Sequence, residues 1–82
     1  MIPFDYISGC VRNDKSVMII LRNNKRMIGK IINYDKHLNL LLENVNEIKF
    51  VGENFSELIK IKSKFIPKVF LRGDNIVLIL II

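Results

Sequence analysis

The run IVLILII, residues 76–82, is the feature that most restricts the fold. Apolar residues in unbroken succession leave no face for water. The run falls far short of the roughly 20 residues needed to span a bilayer, and its length suits a strand. Such a strand needs cover on its faces and a neighbour along its edge. Arg72-Gly73-Asp74-Asn75 stands before it and reads as a turn. A chain of 82 residues also buries only a modest fraction of its surface, so domains of this size often lean on disulfides, metals or oligomerisation. Cys10 is the single cysteine and His37 the single histidine. They make neither an internal disulfide nor a four-ligand zinc site. Oligomerisation is the aid that remains.

The preceding sequence predicts one helix and a set of short strands. Residues 3–12 form the helix, with Pro3 at its first position, Asp5 in its first turn, and Phe4, Ile7 and Val11 on one face. SVMIILR is an Ile-rich strand, and Asn23-Asn24 turns the chain. KRMIGKIINY follows, with Gly29 marking a sharp bend. Asp35-Lys36-His37 is a polar break before LNLLLENVNEIKF, which puts Leu38, Leu40 and Leu42 on one face. VGENFSE is a loop. LIKIKSKF is an amphipathic strand whose Lys60, Lys62 and Lys64 face water. Pro67 interrupts the ladder ahead of a fourth main strand, KVFLR, and the last two strands form a hairpin. The fold class is mainly β: a short N-terminal helix and about five antiparallel strands curled into a small barrel, in one domain.

Two polar turns carry the candidate chemistry. Asp35, His37 and Asn39 flank one, and Arg72, Gly73 and Asp74 form the other. In a meander of consecutive strands both turns fall at one end of the sheet. The amide of Asn39 can read a base edge, and imidazole and guanidinium planes stack on base faces. Gly73 permits close backbone approach. Asp35 would repel phosphate, so its expected role is to orient Asn39 or Arg72. Asp74 has a structural role in its turn. Each residue also has a plainer reading as an ordinary solvated turn residue.

The formal net charge of +5 favours an anionic partner, with nucleic acid and acidic membrane surfaces as candidates. MIPFDYISGC lacks the basic start and long apolar stretch of a signal peptide. A soluble intracellular protein is expected, and Arg-Gly-Asp as an adhesion tripeptide is a weak signal beside that. No nucleophile–base pair, metal cluster or phosphate loop is visible, so neither an enzyme nor a cofactor is expected.

MIGKIINYDKHLNLLLENV, residues 27–45, and FLRGDNIVLI, residues 70–79, resemble the two motifs of the Sm family. RNNKRMIGK, DKHLNLLLENVNE and KVFLRGD are most similar to the D-two type of small nuclear ribonucleoprotein within it. On this resemblance, the first motif covers about 16–50, a variable loop about 51–63, and the second motif about 64–82. The resemblance implies a helix-capped, strongly bent five-stranded barrel of the SH3 type. It implies a ring of seven different Sm chains, joined fourth strand to fifth, around uridine-rich small nuclear RNA. His37 and Arg72 would sandwich a base, Asn39 would bond its edge, and Gly73 would supply a backbone contact. Val69, Leu71, Ile76, Val77, Leu78, Ile79 and Leu80 would form the subunit interface. No membrane, small-molecule substrate or catalysis is implied. The nucleus is the implied location, with assembly in the cytoplasm. Pro67 and the short inter-motif loop depart from the pattern and suggest a reduced member. A like-Sm subunit of RNA decay, and a barrel used only for protein assembly, are the competing readings.

Overall fold

A computed structural model describes residues 4–51 and 59–82; the side chains of Phe4, Asp5, Arg12 and 59–61 lie outside that description. Helix α1 (Phe4–Arg12) precedes β1 (Ser16–Leu21), β2 (Lys25–Tyr34), β3 (Leu40–Val51), β4 (Ile59–Leu71) and β5 (Ile76–Ile81). Pro3 of the expected helix, Lys60 of the expected lysine face and most of the VGENFSE loop fall outside the described residues or side chains. Lys62 and Lys64 are exposed, as expected.

Helix α1 ends where local chemistry allows. The Asn13 amide donates to the Gly9 carbonyl and the Lys15 amide to that of Cys10, both at 3.0 Å. Asp14 takes a φ of 54°, the left-handed conformation that commonly closes a helix. Ile7 and Cys10 point into the core and are fully or almost fully buried, while Tyr6 and Val11 pack at its border. Cys10 was not on the expected face of Phe4, Ile7 and Val11. Full burial of a side chain such as Ile7 stabilises by about 1.5–3 kcal/mol.

Strands β1 to β3 follow the sequence closely. Val17, Ile19 and Leu21 alternate inward along β1. Asn24 turns the chain with a φ of 61°. β3 starts later than expected, at Leu40, because Leu38 belongs to the turn and has a φ of 62°.

The sheet order is β4-β3-β2-β1-β5. This corrects the expected hairpin. β5 pairs antiparallel with β1, from Val17↔Ile81 to Leu21↔Ile76, and β4 pairs with β3. The two last strands are therefore opposite edges of one sheet, joined by a 3-10 turn at Gly73–Asn75. So short a link can join opposite edges because the sheet curls strongly.

Gly29 sets part of that curl. Ile28 pairs with Asn46 and Lys30 with Glu43, so Asn44 and Val45 together face Gly29 in a β-bulge. A Cβ on Gly29 would lie 3.0 Å from both the Glu43 carbonyl oxygen and Val45 Cγ2. Asn44 takes a φ of 52°. Opposite it, between the pairs Glu43↔Lys68 and Val45↔Ile66, lies Pro67. Leu42 and Val45 of β3 both face the core, as do Val69 and Ile66 of β4. That odd spacing means both strands bend at the same rung. Proline, which has no N–H to offer, fits a rung where the ladder is interrupted. β4 thus runs continuously through Pro67, and the expected break between two separate strands is corrected to a bend within one.

Candidate nucleic-acid interface

The turn joining β2 to β3 is built around one carboxylate. Asp35 Oδ1 accepts from the backbone amides of His37 at 2.8 Å and Asn39 at 3.1 Å. Its Oδ2 accepts from Asn39 Nδ2 at 3.0 Å. The Leu38 amide donates to the Asp35 carbonyl at 3.0 Å. These bonds hold Leu38 in a backbone region that costs a branched residue about 1–2 kcal/mol, and its side chain packs on the edge of the core.

The second turn lies directly against the first. The Gly73 amide donates to Asn39 Oδ1 at 2.9 Å. A Cβ at Gly73 would collide with the His37 carbonyl oxygen and come within 2.9 Å of the Leu38 carbonyl carbon and oxygen. Glycine here is a requirement of close approach. Arg22, just past β1, ties down the far side of the turn: its Nε donates to the Asp74 carbonyl at 2.9 Å. Sequence reasoning missed Arg22, and its place in a polar turn gave no sign of a bond so distant along the chain.

The two turns therefore meet, although the consecutive meander that predicted it does not exist. Asp35, Asn39 and Gly73 form one hydrogen-bonded chain. Asp35 takes Asn39 as its partner, and Arg72 pairs instead with Asp74, Nη2 to Oδ2 at 3.6 Å. That ion pair is largely exposed, so it holds the guanidinium only weakly. His37 is exposed one step from the contact.

Asp35 is held below the ordinary aspartate range, chiefly by the Asn39 side-chain bond, then by the Asn39 and His37 amides and the charge of His37; desolvation opposes these. The carboxylate is thus ionised at neutral pH and accepts only. This fixes the orientation of the Asn39 amide, nitrogen toward Asp35 and oxygen toward Gly73. Among the described residues, one N–H and one oxygen lone pair of that amide stay uncommitted, a donor beside an acceptor. A hollow of about 190 Å³ opens beside it, lined by Asn33, Tyr34, Asp35, Asn39, Leu41 and Phe70. Tyr34 and Phe70 give this hollow aromatic walls that the candidate residues did not include. His37 and Arg72 stand outside it.

The expected interface residues divide. Leu71, Ile76 and Ile79 are buried in the chain's own core and Val69 is half-buried. Alternation turns Val69 and Leu71 inward, whereas Ile76 and Ile79, three residues apart, both face in because the pairing with β1 shifts register at Val77. Val77, Leu78 and Leu80 are exposed, together with Phe65, Phe70, Ile81 and Ile82. The exposed apolar side chains of β4 and β5 lie along both edges of the sheet.

A short helix, a strongly bent five-stranded sheet with β4 and β5 at its edges, and two interlocked turns define a small barrel of the Sm-like class. The LSM domain model matches residues 10–81, and the chain belongs to this family. It is 38% identical to the probable small nuclear ribonucleoprotein Sm D2 of Dictyostelium discoideum, over 95% of this chain and 74% of that protein. It is 35% identical to small nuclear ribonucleoprotein Sm D2 of Saccharomyces cerevisiae, over 95% of this chain and 69% of that protein. Among solved structures, the Pyrococcus abyssi Sm protein in complex with a uridine heptamer superposes with a TM-score of 0.74 at 30% identity, with both chains covered in full. A heptameric archaeal Sm protein shares the fold with a TM-score of 0.68 at 24% identity, over 95% of this chain and 97% of that one.

Proposed function

We propose that the protein is a subunit of a heteroheptameric Sm ring that binds the uridine-rich site of spliceosomal small nuclear RNAs, supporting ribonucleoprotein assembly and pre-mRNA splicing. It acts in the nucleus, with ring assembly in the cytoplasm, and it works by binding and assembly without catalysis. The observation that carries this reading is the Asn39 amide, clamped between Asp35 and Gly73 with a donor and an acceptor left over. Uracil offers the complementary pair, an N–H beside a carbonyl. In this reading His37, two residues before Asn39, and Arg72, next to Gly73, supply planes for stacking on the base, and Gly73 lets the backbone come close. The two edge strands, β4 and β5, are where sibling chains add strands and remove the edges. The similarity to Sm D2 proteins and to a uridine-bound Sm protein supports both halves of the proposal.

The test is alanine substitution of His37, Asn39 and Arg72, one at a time, in the assembled complex. Each should weaken oligouridine binding by about 1–3 kcal/mol and leave the subunit composition unchanged. Unchanged oligouridine affinity in all three would reduce the protein to an assembly barrel. Native purification followed by identification of the attached RNA separates a splicing ring from one serving RNA decay.

A further inference from the structure

Past the bend at Gly29 and Asn44, the inward face of the sheet changes character. Met27 and Val45 are the last buried residues there. The next positions on that face are charged. Lys25 stands opposite Lys49, Lys49 opposite Lys62, and Glu47 opposite Lys64. These five side chains line a hollow of about 150 Å³ at the opposite end of β2 and β3 from the interlocked turns. Among the described lining residues its one carboxylate, Glu47, lies 3.9 Å from Lys25 Nζ. Among the described residues, four ammonium groups against one carboxylate leave an excess of +3. Like charges directly opposite on neighbouring strands are destabilising. A row of three lysines across three strands works against the fold unless an anion sits over it. Among the described residues the hollow has no aromatic or amide side chain to read a base, and lysine acts as a point charge without arginine's planar fork.

We infer that this hollow binds the phosphate backbone of RNA flanking the uridine-rich segment, whatever its base sequence. The inference rests on the RNA-binding reading above and adds a second, sequence-independent contact to it. Phosphate contacts position a nucleic acid and supply salt-dependent affinity, while the interlocked turns supply base recognition.

The experiment compares the assembled complex carrying wild-type protein with one carrying Lys49→Gln, Lys62→Gln and Lys64→Gln together, and with the charge-preserving triple arginine variant. Two probes are used: heptauridine, and heptauridine extended on both sides by uridine-free RNA. Affinity is measured across a salt series. The glutamine variant should bind heptauridine as wild type does. On the extended RNA its salt slope should be shallower by about 2, since each lost phosphate contact on a single strand removes roughly 0.7. At moderate salt this is on the order of a tenfold loss, and the arginine variant should restore it. Equal slopes on the extended RNA overturn the inference. So does an equal loss on both probes, which would make the lysines a diffuse field, and so does displacement by a polyglutamate peptide without any effect of the flanks, which would assign the hollow to an acidic protein. Failure of the wild-type complex to bind heptauridine counts instead against the ring reading, and the extended probe still reports on the lysines.

Discussion

The Gly73 amide and the Asn39 side-chain oxygen, 34 residues apart in sequence, meet at 2.9 Å and join the two turns of the candidate site. Everything proposed for that site depends on this junction. Asn39 is aimed by it, and Gly73 can reach it only because it carries no side chain.

Gly73→Ala should therefore separate the turns. The added methyl would meet the backbone of His37 and Leu38 rather than a yielding side chain. Overpacking of this kind costs about 1–3 kcal/mol, which in a domain of this size lowers Tm by roughly 4 °C or more. Thermal unfolding checks the stability, and oligouridine affinity should fall in parallel. A variant with wild-type Tm would mean that the contact is readily relaxed.

Asp35 predicts a pH dependence. Its folded pKa lies below the ordinary value of 3.8, so in acid the unfolded chain binds the proton first and stability rises with pH. The contribution is complete above the ordinary value and is lost as pH falls through the lowered one. Asp35→Asn should remove this component. The gap between wild type and variant in chemical denaturation should be constant near neutrality and close below about pH 4. A gap that persisted undiminished in strong acid would show that the charge of Asp35 is immaterial.

The sheet edges predict assembly defects without unfolding. Val77 and Leu80 are 55% and 41% exposed on β5. Val77→Asp with Leu80→Asp should leave the far-UV circular dichroism of the chain unchanged. It should also abolish copurification of sibling chains, measured by light scattering and mass spectrometry. Intact complexes from this variant would move the interface elsewhere.

Cys10 should behave as a core residue. Its thiol is 2% exposed, and burial pushes its pKa upward, so little nucleophilic thiolate is present. Labelling by a thiol reagent should be negligible in the native state and rapid in denaturant. Cys10→Ser should cost about 1–3 kcal/mol by burying a hydroxyl without an assured partner. Fast native labelling would show that α1 opens away from the core.

The amino-acid sequence by itself determined the elements and the chemistry of the turns. Apolar alternation marked β1, Asn24 marked a left-handed turn, and the Asp35-to-Asn39 break and Arg72-Gly73 stood out as polar punctuation. These are local signals, carried by residues within a few positions of each other. Tertiary structure alone decided that β5 joins β1 instead of β4, and that β4 passes through Pro67. It also turned Leu71, Ile76 and Ile79 inward and left a lysine row beyond the core. Strand pairing depends on how sharply the sheet curls, and that curl comes from Gly29, Asn44 and Pro67 acting together on three different strands. No single stretch of sequence contains that sum, because the residues that produce it become neighbours only once the sheet has formed.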